Sequence, residues 1–315
     1  MRKALTVGID DYPGVPLNGC EKDAFSFTNV LKTNGDGSPN FSVKTLTSSS
    51  EEITKPILRQ SIESLFADDS EIALLYFSGH GLIKSTGGYL VTPDHQAYDE
   101  GISMDEILKY ANDSKAKEKV IIFDCCHSGA AGSPALSQSN SAQLAEGLSI
   151  LTASRDYEAA FETEEGGVFT SLVVSALEGG AADLRGHITP GSVYAYVDQA
   201  LGPWDQRPIF KTNVSRFTSL RNIEPPVPLS ILRKLCDYFP EPQDYHSLDP
   251  SYEDTEDAAL DEHVAIFKDL QKLAGVGLVK PVDEDHMYYA ALRSKACRLT
   301  ALGAHYWRLV NSEKI

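Results

Sequence analysis

Ile72-Ala73-Leu74-Leu75-Tyr76-Phe77-Ser78-Gly79-His80-Gly81 and Val120-Ile121-Ile122-Phe123-Asp124-Cys125-Cys126-His127-Ser128-Gly129 share one design: an apolar run of strand length that ends in a polar cluster. A run apolar at every position is buried on both faces, as strands inside a parallel α/β sheet are. Further strand-length runs at residues 4–9, 42–47 and 148–152, in which apolar residues are interrupted by polar ones, alternate with amphipathic stretches near 23–32, 54–66 and 104–111. That rhythm predicts a mostly parallel sheet with helices on both faces. Helices near 168–177 and 192–201 and an edge strand at 208–212 complete a six-stranded α/β domain over residues 1–222.

Both polar clusters fall at the carboxyl ends of parallel strands, where open α/β sheets place their sites. If the two strands are neighbours, His80 and Cys126 converge. A thiol is mostly protonated near neutral pH, so nucleophilic chemistry needs a base within hydrogen-bond reach, and an imidazole supplies the base and later the proton for the leaving group. The glycines on both sides of His80 let backbone approach a substrate closely and offer N–H groups to an oxyanion. The His-to-Cys separation of 46 residues is near the roughly 50 of caspases. A zinc reading of His80, Cys125, Cys126 and His127 fails on spacing, because adjacent ligands do not suit a tetrahedral site.

These clusters, with the early Leu17-Asn18-Gly19-Cys20-Glu21-Lys22-Asp23-Ala24, resemble three blocks of the metacaspase type of caspase-like peptidase: Ser-Gly-His-Gly, Asp-x-Cys-His-Ser-Gly and Leu-x-Gly-Cys-x-x-Asp-Ala. The resemblance covers roughly residues 3–220, with weaker matches at Leu151-Thr152-Ala153-Ser154-Arg155-Asp156 and Gln206-Arg207-Pro208. It implies that Cys126 is the nucleophile and Cys125 a variable neighbour, that His80 is the base, and that the N–H groups of Gly81 and Cys126 form the oxyanion hole. It also implies a pocket of Cys20, Asp23, Ser78 and Asp124 for the residue before the cut. Two carboxylates there favour Arg or Lys through charge-assisted bonds. The expected partners are peptides or proteins with Arg or Lys at the cleavage site.

The dyad itself requires no cofactor. Metacaspases often respond to calcium, and Asp94, Asp105 and Glu106 stand in suggestive places, but no carboxylate follows Gly129 closely, so the metal question stays open. No Lys or Arg occurs between Lys119 and Arg155. The loop at 130–146, rich in Gly, Ala, Ser, Asn and Gln and expected to be flexible, thus offers no basic self-cleavage site.

A net charge of −17 repels nucleic acid and anionic lipid and attracts basic peptides. Five cysteines without scaffold spacing fit reduced thiols, and no stretch approaches 18 apolar residues, so a cytoplasmic protein with no membrane association is expected. A Pro-rich linker at 223–228, containing Pro225-Pro226-Val227-Pro228, precedes a second domain at 229–315. There a helix at 229–239, a weakly ordered acidic stretch at 244–262, a helix at 264–273, a hairpin made of 277–282 and 287–292 with its tip at 283–286, and a last helix from Leu299 follow the order of a winged-helix-like α+β module. Its 10 basic against 15 acidic residues over 226–315 argue for a regulatory or docking role rather than DNA contact. Bacterial caspase-like proteins of this layout belong to defence and programmed cell death, which implies activation by a signal such as a small nucleotide messenger or a partner protein. The rival reading is a catalytically inactive caspase-like scaffold or adaptor.

Overall fold

The computed structural model describes residues 1–96, 98–125, 144–153, 162–163, 166–201 and 207–315. They form two compact units, residues 1–183 with 187–223, and residues 184–186 with 224–315.

In the first unit the chain runs β1 (Arg2–Gly8), α1 (Cys20–Lys32), β2 (Ser42–Thr47), α2 (Lys55–Ala67), β3 (Ile72–Ser78), then three strands β4 (Gly81–Lys84), β5 (Gly87–Gln96) and β6 (Asp99–Ser103). It continues through α3 (Met104–Asp113), β7 (Glu118–Asp124), β8 (Leu148–Thr152), the short pair β9 (Glu162–Thr163) and β10 (Gly166–Gly167), α4 (Val168–Ser175), β11 (His187–Ile188), α5 (Pro190–Ala200), β12 (Ile209–Asn213) and β13 (Arg221–Asn222). Among the described residues the central sheet has six strands in the order β12-β8-β7-β3-β1-β2. All neighbours are parallel except β12, which pairs antiparallel with β8.

Side-chain alternation along each strand divides the core between the two faces. Leu75, Phe77, Ile121 and Phe123 pack under α2 and α3, whereas Leu74, Tyr76, Val120 and Ile122 pack under α1, α4 and α5. The three-stranded β4-β5-β6 sheet was not expected from the sequence. It is antiparallel and begins one residue after His80, so the backbone that carries the histidine is pinned on both sides.

The second unit contains α6 (Leu229–Arg233), α7 (Leu235–Tyr238), β14 (Tyr245–Ser247), α8 (Asp261–Gly275), β15 (Val279–Val282), α9 (Met287–Leu292), β16 (Ala296–Leu299) and α10 (Ala301–Asn311). Its antiparallel sheet has the order β14-β16-β15. Three expectations need correction. The stretch 244–262 is ordered, because Tyr245 to Ser247 pairs with β16 and Leu248 and Tyr252 reach the core. The helix expected over 229–239 is interrupted at Lys234 (φ −76°, ψ 0°). Residues 287–292 are helical rather than a hairpin strand, burying Met287, Ala290 and Ala291 at the helical spacing of three and four, and the returning strand is β16. Among the described residues no helix is long and apolar enough to cross a membrane.

Candidate active site

The registers of β1, β3 and β7 place Gly8, Ser78 and Asp124 side by side on one rung at the carboxyl edge of the sheet. By alternation Ser78 and Asp124 face the same side as Tyr76 and Ile122, toward α1 and α4. Cys20 and Asp23 lie three residues apart in the first turn of α1 and arrive on that side too. All four sequence-predicted pocket residues are therefore gathered, and all are buried.

Asp23 accepts a hydrogen bond from the N–H of Gly167 (3.1 Å), at the N-terminus of α4, and Asp124 accepts one from the Thr170 hydroxyl (2.6 Å) in its first turn. Because the Thr170 proton goes to Asp124, the Thr170 oxygen accepts from the Tyr76 hydroxyl at 2.6 Å. Burial pushes the Tyr76 phenol well above its ordinary pKa, and the charges of Asp124 and Asp23 push it further, which keeps it a donor; Ser78 also bonds to it. A Cβ on Gly167 would lie 2.7 Å from one Asp124 oxygen and 2.9 Å from one Asp23 oxygen, so those two oxygens are at most about 5.6 Å apart. Only glycine fits between them. The N-terminus of α4 favours negative charge at this place.

Two residues beyond the rung stands His80. Its Nε2 lies 2.8 Å from the Val15 carbonyl oxygen, and a carbonyl only accepts, so Nε2 carries the proton. In the neutral ring Nδ1 is then the basic nitrogen. Tyr12 fixes the other coordinates of His80. Its ring packs at 4.5 Å between centroids, its hydroxyl accepts the His80 backbone N–H (3.0 Å), and it donates to the Val91 carbonyl (3.2 Å). Burial holds the Tyr12 phenol well above its ordinary pKa, so this donor persists across the working pH range. A side chain on Gly79 would bring a Cβ to 2.5 Å from the Tyr12 oxygen.

The loop that delivers Tyr12 and Val15 is itself tied down. The Asp10 carboxylate accepts the N–H groups of Gly19, Cys20 and Glu21 at 2.9–3.2 Å, capping α1 with three otherwise orphaned donors.

Gly81 opens β4 opposite Leu90. The Val91 N–H donates to the His80 carbonyl (3.0 Å), which makes Gly81–Leu90 a non-hydrogen-bonded pair of the ladder and turns the Gly81 N–H away from β5. Cys125 is buried in the core beneath the site, as a small hydrophobe. Cys126, with His127, Ser128 and Gly129, lies outside the described residues, as do Ser154, Arg155, Asp156 and Gln206 and most of the expected 130–146 loop.

A family model for the caspase domain matches residues 1–217, more than two thirds of the sequence. The chain belongs to the caspase-domain family. Caspase-domain proteins are cysteine peptidases, and membership supports that activity and peptide or protein substrates here. Among solved structures, protein GSU0716 of Geobacter sulfurreducens superposes with a TM-score of 0.52 at 17% identity, covering 71% of this chain and 100% of its own. Caspase-1 of Spodoptera frugiperda superposes with a TM-score of 0.50 at 15% identity, covering 71% of this chain and 91% of its own. At such identities these two share the fold. No curated protein matches.

Within this caspase domain, two of the three carboxylates considered for calcium have other engagements. Asp94 accepts the Lys55 N–H at the start of α2, and Glu106 is held by Arg59 (2.7 and 3.1 Å) and Tyr110. Among the described residues no three His, Cys, Asp or Glu side chains group as a cation site.

Asp10, Tyr12, the Val15 carbonyl, Gly167 and Thr170 escaped the sequence reading. Asp10 caps a helix nine residues downstream, so no local capping pattern marks it. Gly167 and Thr170 meet Asp23 and Asp124 only through tertiary folding. Tyr12 alone left a signal, a lone aromatic with a polar tip in a loop beside the first strand.

Proposed function

We propose that this caspase-domain protein is a cysteine endopeptidase that cuts after Arg or Lys, with Cys126 as nucleophile and His80 as base. The observation that carries the reading is the single rung bearing Ser78 and Asp124: on one side its Asp124 carboxylate meets that of Asp23 from α1 across Gly167, and His80 and Cys126 each follow the rung by two residues along the chain.

In this mechanism the Asp23–Asp124 pair receives the guanidinium or ammonium of the substrate. His80 Nδ1 takes the thiol proton of Cys126, the thiolate attacks the scissile carbonyl carbon, and the N–H groups of Gly81 and Cys126 receive the oxyanion. Protonated His80 then gives its proton to the leaving amine, and water hydrolyses the thioester by the same path. Acid–base assistance of this kind is worth about 10²–10⁴ in rate, and each oxyanion donor about 10²–10³.

The accompanying cellular role, a signal-activated effector in defence or cell death, rests on the resemblance to bacterial caspase-like proteins and on the second unit, read as a winged-helix-like regulatory module. The test is a set of fluorogenic peptides ending in Arg, Lys or Asp, assayed with wild type, Cys126→Ala and His80→Ala. Cleavage of the Arg and Lys peptides that both substitutions abolish is expected. Equal signal from all three proteins would refute the dyad, and preference for Asp would refute the acidic pocket.

A further inference from the structure

A second recess is lined in part by Tyr12, whose ring packs against His80. It has a volume of about 380 Å³, with Tyr12, Ile53 and Pro93 forming an apolar floor and Asp11, Glu52 and Asp94 standing around the rim. Tyr12 and Ile53 belong to the core cluster under α2 and α3. The recess therefore lies on the opposite side of the sheet edge from Asp23 and Asp124, which face α1 and α4. His80 touches both sides only indirectly: its ring packs on Tyr12, a lining residue of the recess, and it follows the Ser78–Asp124 rung by two residues.

That position has a direction in the reaction. A substrate whose side chain before the cut sits on the Asp23–Asp124 side must pass its leaving amine to His80, so the chain after the cut continues over Tyr12. We propose that this recess is the binding site for the residue immediately following the scissile bond and that it selects a long basic side chain there. The inference rests on the endopeptidase reading above. An apolar floor with an anionic rim suits the aliphatic stem and cationic head of Lys or Arg. The Asp11 and Glu52 side chains are exposed and make no hydrogen bond or ion pair among the described residues, and no basic residue lines the recess. Their charge is available to a ligand. An acidic residue at that place in the substrate meets three carboxylates and is disfavoured.

Two measurements on the full chain test this. Internally quenched peptides with Arg before the cut and Lys, Ala or Asp after it give the preference by kcat/KM. Short peptides beginning with Lys or Asp, titrated by isothermal calorimetry as mimics of the leaving fragment, give binding without turnover. Lys over Asp by about fivefold or more is expected in both, from exposed charge pairs of ordinary strength. Glu52→Lys should erase or invert both ratios, and raising the salt to 0.5 M should shrink them. Ratios within twofold, or ratios that Glu52→Lys leaves unchanged, would overturn the proposal. Preferential binding of the Lys peptide with no cleavage of any substrate would uphold the recess while removing the endopeptidase reading.

Discussion

Replacing Tyr12 by Phe removes one oxygen and keeps the ring against His80. That oxygen accepts the His80 N–H at 3.0 Å and donates to the Val91 carbonyl at 3.2 Å, inside a site where Tyr12 is buried. A buried polar group left without its partner costs about 1–3 kcal/mol. For a unit of this size the loss lowers Tm by roughly 2–10 °C. The larger effect falls on catalysis, because misplacing a reacting group by about 1 Å costs up to 10²-fold. The account therefore expects kcat on an Arg-ending peptide to fall about 10–100-fold with KM changed less than threefold, since the carboxylate pocket is on the other side of the sheet edge. Gly79→Ala supplies the cross-check. Its added Cβ meets the Tyr12 oxygen at 2.5 Å, so the penalty of Gly79→Ala should shrink in the Tyr12→Phe background, a coupling that a double-mutant cycle measures. A lowered Tm with kcat intact would mean that Tyr12 is only a packing residue, and strict additivity of the two substitutions would contradict the geometry.

Asp124→Asn keeps an acceptor for Thr170 but removes a charge, and should lower kcat/KM about 10–100-fold for Arg peptides while barely affecting peptides with neutral citrulline, as steady-state kinetics would report. Gly167→Ala forces a methyl between the two carboxylates and should abolish the Arg preference with a smaller loss of stability, measured by kinetics beside thermal melts. In the second unit, burial opposes the charge of Asp269, but hydrogen bonds from Lys234 (2.7 Å) and Tyr238 (2.7 Å) outweigh it and hold its carboxyl below the ordinary value. A depressed carboxyl contributes stability that is complete above its unfolded pKa of about 4 and is lost as pH falls through the folded value. Asp269→Asn should therefore flatten the acid limb of urea stability below about pH 4 and leave its slope above pH 6 unchanged. Burial, joined by the hydrogen bond and charge of Asp269 and only partly offset by Lys234, pushes the Tyr238 phenol up to about 12, so it remains a donor throughout that range.

The central sheet was legible because β3 and β7 are buried along their whole length, and burial on both faces writes itself as the unbroken apolar runs 72–77 and 120–123 inside them. The gathering of Cys20, Asp23, Ser78 and Asp124 at one end of the sheet was legible through the family blocks that bear them. Neither signal reaches the β4-β5-β6 sheet, where Gly87 and Gly88 and a shifted register between Val91 and Gln96 interrupt any alternation. Residues 287–292 misled for a different reason. Two adjacent tyrosines read as strand, but both are partly exposed, and the buried Met287, Ala290 and Ala291 settle the period as helical. The supports of His80 were hidden because each is a tertiary contact: a carbonyl from residue 15, a hydroxyl from residue 12, a cap from residue 10.

The most direct test of the dyad and its specificity is covalent trapping with a peptidyl chloromethyl ketone ending in Arg, followed by mass-spectrometric location of the adduct. The account predicts one adduct per chain on Cys126, formed far more slowly in His80→Ala and with an Asp-ending reagent. An adduct on buried Cys125, or equal labelling by the Arg and Asp reagents, would contradict it.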